Sequence, residues 1–217
     1  MKGGIHMNSF FNVWINPRGV VKTKIEQEAA VQPYGKYLLL AYISGLFSIT
    51  SSLETEEPMT TTFFILSVFL GAILTAVLSV FLMPLLFKWF GSWIGGKGKL
   101  SEVRVAVIYT QVLPQILIGL ILLPFIIIIG ESYFLSATST YTVELSAMQE
   151  WALLIAALIM ITLFIWQFVI MLHGLGEAHG FSAWKSLLVY IIFTAILTVV
   201  LIIFMLIIVF TIGVTFI

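Results

Sequence analysis

Five stretches of this chain, at about residues 37–53, 62–87, 103–129, 151–172 and 186–216, are apolar almost without interruption, and the only charged side chain in any of them is Arg104. A helix rising about 1.5 Å per residue needs about 20 residues to cross a hydrocarbon core roughly 30 Å thick, and several of these runs are longer than that. A soluble domain has no use for so much apolar surface. The chain is 61% hydrophobic and 9% charged, with a mean hydropathy of +1.15, against roughly 25% charged residues in an ordinary soluble domain. The bilayer is therefore the main solvent. The expected fold class is an all-α membrane protein: a five-helix transmembrane bundle over residues 37–217, preceded by a cytoplasmic N-terminal arm, residues 1–36, with a short interfacial amphipathic helix.

The last run is the longest; at about 1.5 Å per residue it measures roughly 46 Å. It can tilt, break near Thr198, or run beyond the interface. No polar turn divides it into two spans. Within the arm, Asn16 followed by Pro17 is a helix-start signature, an N-cap with proline in the first turn. A helix from Pro17 to about Ala30 follows. Phe10, Phe11, Trp14 and Ile15 lie just upstream as an aromatic anchor, and Arg18, Lys22 and Lys24 suit an anionic membrane surface. The alternative is an ordinary solvated arm. No cleaved targeting segment is expected, and the start is either Met1 or Met7.

The formal net charge is zero, from ten Lys plus Arg and ten Glu, but the two signs are segregated. Lys2, Arg18, Lys22, Lys24 and Lys36 precede the first apolar run; Lys88, Lys97, Lys99 and Arg104 flank the second loop; Lys185 lies in the fourth. The other loops hold no cation and carry Glu54, Glu56, Glu57, Glu131, Glu144 and Glu150 instead. By the positive-inside rule every cation is cytoplasmic, which requires an odd number of spans, with the N-terminus inside and the C-terminus outside.

Chemistry is sparse. Without cysteine or aspartate, disulfides, thiolate metal sites and the usual nucleophilic triads are excluded. The polar residues inside the apolar runs are neutral, which counts against an ion-coupled pump. Gln111 and Gln115 share one face of the third run, and Pro114 between them frees a carbonyl one turn earlier for a glutamine or Tyr109 to satisfy. Tyr109, Gln111, Pro114, Gln115 and Gln167 are thus a candidate polar intramembrane site, serving either helix-to-helix hydrogen bonds or a substrate or lipid headgroup. Pro84 and Pro124 are further kink positions. Gly71, Thr75 and Ser79 form a small-residue stripe suited to close helix packing. Trp14, Arg18, Lys22, Lys24, Lys97 and Lys99 form a candidate lipid or partner surface.

Gly91 through Lys97 spells G-x-x-x-x-G-K, but Gly98 replaces the magnesium-binding hydroxyl and no strand precedes it, so a turn is expected rather than a phosphate loop. His173, Glu177 and His179 match no metal spacing, and Glu177 or His179 is expected to pair with a backbone amide or with Lys185. No catalytic, cofactor or metal site is expected, and no nucleic-acid partner.

Three stretches together resemble the Yip family, membrane proteins named for interacting with Ypt and Rab GTPases, in its bacterial form. They are Phe11-x-x-Trp14-x-x-Pro17-Arg18; Gly95-Gly96-Lys97-Gly98 followed by Tyr109 and Pro114; and Trp166, then Gly174-Leu175 and Ser182-x-x-Lys185-Ser186. The resemblance implies five spans with the N-terminus cytosolic. It permits a non-enzymatic scaffold or accessory protein, expected in a bacterial plasma membrane beside another membrane protein or a second copy, with the basic arm and second loop expected to touch anionic lipid. The alternative is a transport-related role, as an exporter accessory subunit or a pathway lined by the glutamines.

Overall fold

The computed structural model describes residues 6–136, 139 and 144–215, and among them the regular structure is helical apart from one isolated parallel bridge between Thr55 and Leu135. We number the helices α1 (His6–Asn12), α2 (Pro17–Glu28), α3 (Tyr34–Ser52), α4 (Thr61–Trp93), α5 (Leu100–Phe134), α6 (Ala147–His179) and α7 (Ala183–Thr215). Helices α4, α5 and α6, together with Ala183–Val209 of α7, are long and apolar enough to cross a membrane. Helix α3, 19 residues long, falls outside that group because Lys36, Ser44, Ser48, Thr50, Ser51 and Ser52 dilute its apolar content. Only α4 to α7 therefore qualify on length and composition.

Local chemistry sets the ends. The Asn16 side chain accepts from Gly19 N at 3.0 Å and Pro17 occupies the first turn, so α2 begins where its sequence signature lies. Ser146 opens α6 with a reciprocal cap to Gln149. Helix α4 closes in a Schellman turn: Gly95, with φ +87°, lets Gly96 N donate to Gly91 O at 2.8 Å and Gly95 N to Ser92 O at 3.2 Å.

Two π turns, Leu78–Leu82 in α4 and Ile108–Val112 in α5, lie against each other, and each is followed two residues later by proline, Pro84 or Pro114. Proline donates no hydrogen bond to the carbonyl four residues back, and widening the turn by one residue redistributes the ladder. Pro124 sits inside α5 without ending it. Among the described residues the last apolar run, through Thr215, forms one unbroken helix with no break at Thr198.

Helix α3 is clasped between α4 and α5. A Cβ on Gly45 would lie 2.9 Å from the Ala72 backbone, one on Gly71 2.9 Å from Ile49, and one on Gly119 2.2 Å from Phe47. The small-residue stripe thus brings backbones together, through Gly71 and Thr75. The main core gathers Tyr37, Val80, Phe87, Val103, Ile108, Met171, Leu175 and Val189 towards the end where α2 docks. There α2 lies on α6 and α5, and α7 packs on α4 and α6. Beyond Ile196, the described side chains of α7 from Leu197 to Val209 are exposed.

Candidate functional site

The polar residues converge at the arm end, in three linked knots. Glu28, at the last turn of α2, is 12% exposed at its side chain and lies 2.7 Å from Lys36 Nζ and 3.6 Å from Lys24 Nζ. The Tyr109 hydroxyl donates to its Oε1 at 2.8 Å, and both lysines sit over the Tyr109 ring, at 5.2 and 5.3 Å. Burial opposes the carboxylate charge, but the hydrogen bonds from Lys36 and Tyr109 outweigh it and hold Glu28 below its ordinary value of 4.5.

In the second knot Arg104, 6% exposed, donates through Nε to Val80 O at 2.9 Å. Val80 O is the acceptor that Pro84, four residues on, has no N–H to serve. Nη1 of Arg104 donates to Gln32 Oε1 and, at 3.1 Å, to the Tyr34 hydroxyl, whose ring the guanidinium covers at 5.1 Å. A single arginine thus joins the arm, α3 and the π turn of α4.

The third knot fastens the start of α2 to the end of α6. Arg18 donates through Nη2 to Phe181 O at 3.0 Å and through Nε to His173 Nδ1 at 3.3 Å, and its Nη1 lies 3.8 Å from Glu177 Oε2. Trp166 Nε1 donates to Trp14 O at 3.0 Å. Beside this knot the glycine-rich loop closes over His179, which is 2% exposed, stacks on Phe181 and meets Phe87 O through Nε2 at 3.2 Å. A Cβ on Gly91 would lie 2.4 Å from that ring and one on Gly96 2.5 Å, and Lys97 N donates to His179 O at 3.1 Å. The loop's glycines make room for an imidazole.

The glutamines meet elsewhere. Gln111, Gln115 and Gln167 line a cleft of about 230 Å³ with Phe164, Phe168, Met171 and Tyr190. Gln167 Nε2 donates to Gln111 O at 3.0 Å, the carbonyl beside Thr110 O, which is the one Pro114 has no N–H to serve, and Gln111 Nε2 contacts Met171 Sδ. The described residues hold no group of three or more His or Glu placed to bind a metal ion.

The expected sites are partly regrouped. Tyr109 leaves the glutamine cluster for the arm network. Lys24, expected on an outward basic surface, is 3% exposed and paired with Glu28, because the face of α2 that meets the bundle carries Arg18, Val21, Lys24, Ile25 and Glu28. Lys22, Lys97 and Lys99 remain exposed. Glu177 faces Arg18 instead of Lys185. Glu28, Gln32, Tyr34, Lys36 and His173 were missed as site residues; only their density of polar side chains beside an apolar run hinted at a shared network.

The family model of the Yip1 domain matches residues 11–211. No curated protein and no solved structure matches the chain.

Proposed function

The chain belongs to the Yip1-domain family of integral membrane proteins, and from that premise we propose that it is a non-enzymatic scaffold or accessory protein that packs its spans against a partner membrane protein. One observation carries this reading. The charged groups that leave water, Glu28, Lys24 and Arg104, are consumed in docking the arm, while α4, α6 and α7 turn rows of apolar side chains outward. Leu66, Leu70 and Leu74 on α4, Leu154, Leu158, Ile161 and Ile165 on α6, and Leu197 to Val209 on α7 are all exposed. Such surfaces suit lipid and neighbouring helices, and buried charge gathered where the arm docks suits an assembly role.

The topology in this reading has five spans. Helix α3 is about 28 Å long at about 1.5 Å per residue, close to the hydrocarbon thickness, and its tight packing between α4 and α5 supports counting it as a span. With α3 spanning, every cation sits on the cytoplasmic face and the C-terminus lies outside. The exposed Lys22, Lys97 and Lys99 then contact anionic lipid, and the compartment is a bacterial plasma membrane.

Copurification from native membranes, followed by mass spectrometry, tests the proposal. A defined integral membrane protein is expected in stoichiometric amount, and its recovery falls when Leu201 and Met205 are both replaced by Trp. Lipid alone, with no reproducible protein, sinks the scaffold reading. The glutamine cleft favours a second reading, a lipid or small-molecule pathway or an exporter accessory subunit. For the pathway, Gln111→Leu with Gln115→Leu abolishes transport in vesicles and leaves any protein partner bound.

A further inference from the structure

Between the arm and α6 lies a second cleft, of about 280 Å³, whose lining includes Trp14, Arg18, Trp166, Val169, Ile170 and His173. Its walls differ in kind. Trp166, Val169 and Ile170 make an apolar side, and Ile15, 86% exposed, lines the cleft as well. Surface this apolar at the end of a membrane bundle needs lipid against it.

The polar side offers donors. His173 Nδ1 accepts from Arg18 Nε, so the ring proton sits on Nε2, which has no protein partner. Arg18 Nη1 is 3.8 Å from Glu177, outside hydrogen-bond reach, and retains its N–H groups for another acceptor. The indole N–H of Trp14 is buried with nothing to receive it. The two donors on His173 Nε2 and Arg18 Nη1, with no close acceptor of their own and next to an apolar wall, fit an anion carried on a hydrocarbon stem. Glu177, 27% exposed at its side chain, is the carboxylate paired with Arg18, and that pairing is loose enough for a stronger acceptor to share the guanidinium.

We propose that this cleft binds the phosphate of an anionic phospholipid, its acyl chains lying along the Trp166–Val169 side of α6. The site rests on and deepens the lipid-contact part of the function proposed above, adding an enclosed place to the exposed basic surface. Phosphate here staples the arm to α6 by adding a ligand between Arg18 and His173.

Native mass spectrometry of the purified full chain, with phosphatidylglycerol or phosphatidylcholine added, tests this. One retained phosphatidylglycerol is expected per chain, and phosphatidylcholine is retained less. Arg18→Gln weakens retention about tenfold, as expected for losing one charged hydrogen-bonding group. Because that change also loosens the arm, Val169→Phe supplies an independent arm: it fills the cleft, leaves the Arg18 contacts in place and gives a similar loss. The surface control Lys22→Gln with Lys97→Gln and Lys99→Gln retains the lipid. Retention by either cleft variant at the native level overturns the proposal, and so does displacement by inorganic phosphate, which identifies a soluble-anion site. Capture of a protein partner does not depend on these outcomes, so failure of the scaffold reading is separately visible.

Discussion

Glu28 ties the arm to the bundle, because one carboxylate serves Lys36 and Tyr109 and also pairs with Lys24 on its own helix, in a place that is mostly dry. Removing it leaves Lys24 buried without a counter-charge, and breaking a buried pair in this way costs about 3 kcal/mol. Glu28→Ala is therefore expected to lower thermal stability in detergent and to expose α2 to protease. Glu26→Ala, on the exposed face of the same helix, changes stability by less than about 0.5 kcal/mol. The pH dependence has a definite sign. Since folding holds the Glu28 pKa below 4.5, its contribution is fully present above that value and is lost as pH falls through the depressed pKa. Acid titration followed by arm proteolysis reads this directly, with Glu28→Gln abolishing the dependence. The glycines give a second contrast. Gly91→Ala drives a methyl into the His179 ring and destabilises, whereas Gly35→Ala, with open space around it in α3, is expected to stabilise by about 0.5–1 kcal/mol.

At the scale of elements, the coupling between Arg104 and the π turn of α4 is the device to test. Arg104→Ala leaves Val80 O and Gln32 short of a donor, and a buried unsatisfied acceptor costs about 1–3 kcal/mol. Pro84→Ala restores an N–H four residues after Val80, so the double variant is expected to be more stable than the sum of the two single losses, by about 1 kcal/mol in a double-mutant cycle. Strict additivity contradicts the account. This coupling was not legible in the sequence, although both proline positions were: a proline announces a missing donor, but nothing local says which distant side chain supplies one. The start of α2 was legible because Asn16 and Pro17 act on their own neighbours. Its docking face was not, because Arg18 and Lys24 read with Lys22 as a basic surface for anionic lipid until the bundle supplies Tyr109, Lys36 and His173 to meet that helix. The glycine-rich loop was recognised as a turn, while its reason, the buried imidazole of His179, lies more than eighty residues away in the chain.

For the whole molecule, the long apolar helices were legible because hydrophobic length needs no tertiary information. The meeting of the glutamines was legible in part. Gln111, Gln115 and Gln167 do meet, since i, i+4 spacing fixes a face, but the same spacing says nothing of where the Tyr109 hydroxyl reaches. The central claim is that α3 crosses the membrane as a fifth span and holds the whole cation set on one side. With no native cysteine, the chain offers a background-free test by single-cysteine labelling in intact cells with a membrane-impermeant maleimide. Lys22→Cys and Lys99→Cys are expected to react only after permeabilisation, and Glu57→Cys and Glu150→Cys to react without it. Labelling of Lys22→Cys and Glu57→Cys on the same side of the membrane would contradict the account, because α3 would then not cross.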